Sequence, residues 1–572
     1  MSSKPEGLES SNISCNDAPA MSSETVQRPP PPEKPAAILT RTKVIAAFWA
    51  VIIFLGFPIW WQTTSIHRAR LPIQEMVNWA SGKTCRPVFP LEIQFATPSL
   101  PVSDAQHLLR TTQHTLDDLN EFSAHHLRLK LLESSNIESN SPDGLRSITE
   151  DNADTVLSVR LIAQEDLTAP RSVLHSETTQ LDVFYPPSQV PVPSSSNSPL
   201  SAFIAEELQR LFGEEKATIA HVLSNNNGAD HQPAAVLNSL PPQIAETINK
   251  RERRSMKYAE TYHLAFSLFT PGSAPSSWDI EAAIQEYLTP LLQAFSPISN
   301  FTVDTQVQLY AMFSPMTPQP EYDESQAAWT LKKEDLSAFI NAAEWPLSPS
   351  IGSGPTINFI LYVPAPSQSP MVVKENHATS WIIPQWGGVF LLNAPLSTSQ
   401  PSNPSHLSKE SLQSAFLTFS HQLLTLMGTP ATPTSLPLRL QTLIRIRAAS
   451  LLLSASSTMG SLARLTKSLP SIPIPASVAT SVSTTLSHLS SACDQLREGR
   501  FAAALASARV AETEAERSFF EKSMVGQVYF PDEHKVAVYL PLLGPIGVPL
   551  AVGLLKELKR IIAGWKSRRS SP

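Results

Sequence analysis

The sequence is poor in charge and in cysteine, and it has no surplus of basic residues. Only 16% of its 572 residues are charged, well below the usual quarter, which excludes a coiled coil with charged flanks and a charge-driven disordered chain. Lys and Arg number 43 against 50 Asp and Glu. A net charge of −7 does not suit bulk neutralisation of phosphates, so no nucleic-acid partner is expected. Three cysteines are too few for a disulfide scaffold. The sequence also lacks GxxxxGK[ST], GxGxxG after a strand, GxSxG and HExxH, so the corresponding phosphate, dinucleotide, serine-hydrolase and zinc-peptidase chemistries have no recognisable parts, and no cofactor is expected. His107 and His114 share one face of a predicted helix and His125 and His126 are adjacent. No Cys or carboxylate stands at zinc spacing around them, so they are read as solvated or capping side chains rather than ligands. The acidic pairs Asp117/Asp118 and Glu206/Glu207 are read as solvated helix faces.

Proline and long apolar runs are what the chain has in abundance. Val44 to Trp61 is 18 residues without a charge, enough for a helix to cross a hydrocarbon core. Trp60 and Trp61 close it, as interfacial aromatics do on a retained helix rather than a cleaved signal. Val536 to Leu555 is a second uncharged run, of 20 residues, holding Pro541, Pro545 and Pro549. Such prolines survive in lipid where neighbouring groups satisfy the freed carbonyls, and a kinked helix is expected. It ends in Lys556, Lys559, Arg560, Lys566, Arg568 and Arg569, which fits a stop-transfer sequence and not a GPI-attachment signal. Arg28, Lys34, Arg41 and Lys43 precede the first run, and fewer basic residues lie on the inner sides of both runs. Both termini are therefore expected in the cytosol, with residues 62–535 across the membrane.

Between these runs the pattern predicts a mixed α/β (α+β) region followed by a helical one. Residues 1–40, with the run Pro29 to Pro32, read as a disordered cytosolic tail. A transmembrane helix is expected over 41–64, an α/β region over 65–404, helices over 405–530, a second transmembrane helix over 531–556 and a basic cytosolic tail over 557–572. Strands are predicted at 87–95, 155–162, 180–185, 262–269, 303–313, 357–363 and 389–392. Helices are predicted at 104–121, 201–212, 279–295, 335–343, 411–427, 438–469 and 478–522. No fixed-period repeat is apparent.

Few residues in this region point to a site. Cys85 and Cys493 lie between the apolar runs, where an oxidising compartment allows one bridge between them or one each to partners. Neither has the setting of a known nucleophile, and unpaired structural thiols are the expectation. Asn300-Phe301-Thr302 is the glycosylation sequon on the far side of the membrane, because Asn12 is on the wrong side and Pro spoils Asn140, Asn197 and Asn403; Asn300 is expected in a turn before a strand. Trp386-Gly387-Gly388 is read either as a partner contact or as a tight turn with close backbone packing.

Five blocks in order resemble the class S phosphatidylinositol-glycan (PIG-S) family of GPI-transamidase subunits: GFPIWWQTTSIHRARLPIQEM (Gly56 to Met76), LTPLLQAFSPISNFTVDTQVQLY (Leu288 to Tyr310), INFILYVP (Ile357 to Pro364), PQWGGVFLLN (Pro384 to Asn393) and PDEHKVAVYLPLLGPIGVPL (Pro531 to Leu550). The resemblance implies an endoplasmic-reticulum membrane subunit of the complex that replaces a C-terminal signal of precursor proteins with a preassembled GPI. It implies partners in the other subunits, among them a separate caspase-like chain that supplies the nucleophile. Membrane lipid is a further partner, and precursor proteins and GPI are indirect ones. The alternative is a membrane-anchored luminal transferase whose active site matches no motif.

Overall fold

The computed structural model describes residues 34–64, 68–132, 155–191, 195, 198–224, 241–311, 319–333, 336, 354–393, 404–469, 472–525 and 532–569. The predicted helix at 335–343, apart from Leu336, and the run Pro29 to Pro32 lie outside them. The chain divides into two units, one made of the two ends and one spanning His67–Val528.

In the larger unit, strands β1 (Phe89–Ala96), β2 (His125–Leu131), β3 (Thr155–Ala163), β4 (Arg171–Leu174) and β5 (Gln180–Tyr185) form one sheet in the order β2-β1-β3-β5-β4. All neighbours are parallel except β4 and β5. Helix α1 (Val102–Asp118) links β1 to β2, and α2 (Pro199–Ser224) follows β5. The chain then repeats the plan. After α3 (Pro242–Arg254) come β6 (Thr261–Phe269), β7 (Asn300–Gln308), β8 (Thr356–Tyr362), β9 (Ser380–Ile383) and β10 (Gly387–Leu391), ordered β7-β6-β8-β10-β9 and again parallel except at β9 and β10. Helix α4 (Ile280–Ala283, continued by a π-helical turn Ile284–Leu288 into Thr289–Phe295) links β6 to β7, and α5 (Lys409–Leu426) follows β10. Two halves with one topology were not visible as a period, because their connections differ in length: residues 132–154 join the second and third strands in the first half and 309–355 in the second.

The two sheets are covered differently, and their sequences record it. In the first, Phe89, Leu91, Ile93 and Phe95 are buried while Glu92 and Gln94 between them are only partly so, an alternation that one apolar face requires. Phe89 stacks on Phe501 with ring centroids 6.3 Å apart. Gln113 of α1 seals the edge strand β2, donating to the Leu127 carbonyl at 3.0 Å and accepting from the Leu129 amide at 3.0 Å. In the second sheet, β6 (TYHLAFSLF) and β8 (TINFILY) are buried along almost their whole length, so both faces are apolar. One face stacks Phe266 and Phe359 on Phe416 and Phe419 of α5, with centroids 5.1–5.9 Å apart. The other packs Phe269, Ile360, Tyr362 and Val389 on a small sheet made of Glu321–Asp323, Ala328–Leu331 and Met371–Val373.

Three long helices complete the unit: α6 (Leu436–Ser468), α7 (Ala476–Arg497) and α8 (Phe501–Phe519). The last two replace the single helix expected over 478–522. Gly499 takes φ +82°, a left-handed backbone that stops one helix and lets the next start. Cys85 and Cys493 of α7 form a disulfide across 408 residues of sequence, with Cα atoms 6.2 Å apart, in place of the unpaired thiols expected.

A fully buried ion pair joins α2 to α6 in this core. Arg445 of α6 and Glu215 of α2 are each at most 3% exposed. Arg445 donates through Nε to Oε1 and through Nη2 to Oε2 at 2.7 Å, and Thr442 donates to Oε2 at 2.7 Å. His125 Nε2 lies 3.5 Å from Oε1, so His125 is a core residue and not the solvated one expected. Burial alone would raise the Glu215 carboxyl, but Arg445, with help from His125, outweighs it and holds the group below the usual carboxylate range.

Removing one partner leaves an uncompensated buried charge and costs about 3–5 kcal/mol. Arg445→Leu should therefore lower the unfolding midpoint of the detergent-solubilised chain strongly, while Arg445→Leu with Glu215→Met should recover most of the loss. The folded-state pKa of Glu215 is depressed, so its contribution is complete above the ordinary carboxylate pKa and fades as pH falls below it. The double variant should accordingly lose stability with acid less steeply than the parent.

Candidate functional site

The terminal unit is built from two helical segments. The first runs from Pro35 through Val51, a π-helical turn Ile52–Gly56 and Phe57–Thr64. It starts within the stretch expected as disordered tail. The π turn falls just ahead of Pro58, whose ring cannot continue regular α-helical bonding. Pro35–Ile59 is long and apolar enough to cross a membrane, with mean hydropathy 2.0. The second is a continuous helix, Asp532–Arg569. Its Pro541, Pro545 and Pro549 recur every four residues, which puts them on one face, and all three are exposed. The two helices meet through Glu557, 6% exposed. Its carboxylate accepts from Arg41 Nε at 2.9 Å and from Thr42 Oγ1 at 3.1 Å.

In the larger unit the sequence-predicted residues fall in separate places. Gly387 and Gly388 open β10 and are used inside the fold: a Cβ on Gly387 would overlap the Asn358 carbonyl of β8, and one on Gly388 would overlap the Gln422 side chain. Gln422 of α5 is buried and donates to the Trp381 and Val389 carbonyls at 3.0 and 3.3 Å. Trp386 packs against the small-sheet side of the core. Asn300 is exposed and is the first residue of β7, not part of a turn before it. Parallel pairing of Thr261 with Asn300 extends the strand three residues earlier than expected. The Thr302 hydroxyl of the sequon bonds His263.

No catalytic constellation joins these residues. Among the described residues no group of three or more His, Cys, Asp or Glu is placed to hold a metal ion. His107 bonds the Ser195 carbonyl at 3.0 Å and His114 pairs with Asp118 at 2.8 Å on the surface. Sequence reasoning missed a cleft of about 640 Å3 where α6 and α8 face Tyr258 and Glu260. Arg447 and Arg509 lie 5.8 and 6.0 Å from the Tyr258 ring centre. Arg509 also donates to the Pro297 and Ile298 carbonyls at 2.8 and 2.6 Å. Burial pushes the Glu512 carboxyl up, and Ser454 donates to it at 2.7 Å. The cleft offers cations, a ring and hydroxyls, which suits binding contacts. Its parts are far apart in sequence, so only the fold reveals it.

The profile of the family described as "Phosphatidylinositol-glycan biosynthesis class S protein" matches residues 47–564. The chain belongs to the PIG-S family. It is 27% identical over 566 residues to "GPI-anchor transamidase component PIGS" of Bos taurus, covering 92% of this chain and 97% of the relative. It is 26% identical over 561 residues to the human protein of the same name, with the same coverage. It is also 27% identical over 551 residues to "GPI transamidase component PIG-S homolog" of Schizosaccharomyces pombe, covering 94% and 87%. The PIG-S span thus takes in both halves of the larger unit and most of both terminal helices.

Within this PIG-S chain, Gly388→Ala should cost about 2 kcal/mol, because a methyl group must displace Gln422 from a packed core. Gly388→Ala with Gln422→Ala should cost less than the sum of the two single changes, as read by thermal unfolding. A strain-free Gly388→Ala variant would show that α5 does not hold β10 in this way.

Proposed function

We propose that this chain is a non-catalytic, membrane-anchored subunit of the endoplasmic-reticulum GPI-transamidase complex. In this role it supports the attachment of preassembled GPI to the C-terminus of precursor proteins, while a separate caspase-like chain supplies the nucleophile. The observation that carries the reading is the family match over residues 47–564, together with relatives named as transamidase components over almost their whole length. The bond between Cys85 and Cys493 supports the non-catalytic part, since a thiolate is the attacking species in cysteine chemistry.

Both terminal helices cross the membrane in this reading, and both ends are cytosolic. Lys and Arg flanking the outer ends of the apolar runs favour that orientation. The Arg41–Glu557 pair then joins the two helices where their basic flanks begin. Residues 62–535 lie in the lumen, with an N-glycan on Asn300. An exposed residue at the start of an edge strand is accessible, and a glycan there also keeps other chains from pairing with that edge.

Protease added to sealed microsomes should remove tags from both ends and spare the core. Asn300→Gln should abolish one glycosidase-sensitive mobility step. A protected C-terminal tag contradicts the topology.

In cells lacking the native protein, Cys85→Ser, Cys493→Ser and the double change should act alike. Each removes the same long-range bridge, worth on the order of 4 kcal/mol, and should lower the amount of assembled complex. Surface GPI-anchored reporter per assembled complex should stay near normal. A fully assembled complex inactivated by one of these changes alone would make the chain an enzyme.

A further inference from the structure

Strand β9 forms an outer edge of the second sheet. It is paired with β10 on its inner side, Ser380 opposite Phe390 through Ile383 opposite Gly387. Thr379 accepts from the Leu391 amide at 2.7 Å, which fixes the alternation. Trp381 and Ile383 turn their backbone groups to β10, and Ser380 and Ile382 turn theirs away from the sheet. That outward edge borders a groove of about 620 Å3. One wall is Thr418, His421 and Thr425 of α5 with Arg254 from the end of α3, and the other includes Lys333, Val373 and Asn376. The slot therefore continues the plane of the sheet, between the layers that cover its two faces. Four strand residues span roughly 13 Å.

Its charged lining is cationic. Arg254 and Lys333 line it beside His421, and no carboxylate does so among the described residues; the nearby Glu375 carboxylate is taken up by the Lys333 amide, and the chain as a whole carries −7. An added strand would bond the outward groups of Ser380 and Ile382, which meet no partner among the described residues, and its side chains would alternate between two walls that each present a cation. We propose that the outer edge of β9 is a strand-addition site for an extended, acidic segment of a partner polypeptide. This goes beyond membership of a complex, because it names where the chain holds a partner and by what chemistry.

The test uses the full-length chain in detergent and two labelled nine-residue peptides, one alternating Val-Val with Glu-Glu pairs, which puts carboxylates on both faces of a strand, and the other Val-Val with Lys-Lys pairs. In fluorescence anisotropy the Glu peptide should bind at least tenfold more tightly than the Lys peptide, and more weakly as salt is raised. Hydrogen exchange should slow at Ser380 and Ile382 when it binds. Ser380→Pro removes one outward donor and leaves the bonds to β10 intact, so it should weaken binding at least tenfold without lowering the unfolding midpoint. Arg254→Glu with Lys333→Glu should reverse the preference between the peptides, an outcome that misfolding cannot produce. Failure of the Glu peptide to bind, equal binding of both peptides, or protection elsewhere overturns the proposal. The readout is peptide affinity, so that failure leaves the transamidase assignment standing.

Discussion

Glu215 can sit among apolar side chains only because Arg445 reaches it with two parallel hydrogen bonds. Taking either charge out of water alone is costly, so α2 and α6 have to meet at one depth and one rotation. That constraint propagates. Helix α6 is 33 residues long and carries Arg445 beside Phe501 of α8, with the guanidinium 5.3 Å from the ring centre. One residue before Glu215, Glu214 pairs with Arg251 of α3 at 2.6 Å and accepts from the Thr432 hydroxyl at 2.5 Å. The first half, the link to the second half and the C-terminal helices are thus indexed from two adjacent residues of α2.

Much of this architecture was legible where one periodicity held without interruption. The strands 180–185 and 155–162, and the helix 438–469, were predicted to within a residue or two of their observed bounds. β6 and β8 were visible because a strand covered on both faces is apolar throughout. The rest was hidden for physical reasons. β2 (HHLRLKL) alternates on its inner face but starts with two histidines, and only Glu215, far away in sequence, makes the first of them a core residue. α2 runs 26 residues, twice the predicted span. Glu214 and Glu215 interrupt its apolar stripe, and each is satisfied by an arginine that the local sequence does not reveal. The break at Gly499 was missed because the residues on both sides are good helix formers.

The candidate sites divided in the same way. Asn300 and the two cysteines are recognisable as residue types, while their pairing and exposure come from the fold. The glycines at 387 and 388 were ambiguous in sequence, and the carbonyl of Asn358 and the side chain of Gln422 explain why no side chain fits there. The groove beside β9 has no local signature. Its walls come from α3, α5 and the small sheet, which are separated by long connections.

The bridge from Cys85 to Cys493 bears on how the molecule is made. β1 begins at Phe89, four positions after the first cysteine, and the second arrives 408 residues later. During synthesis from the N-terminus, the Cys85 thiol must wait while both sheets emerge, exposed to any other thiol or disulfide it meets. The chain has no further cysteine between its apolar runs. Once Cys493 has emerged, the larger unit therefore has one internal pairing to find and no wrong one to undo. The scarcity of cysteine that first set this sequence apart becomes a safeguard of its assembly.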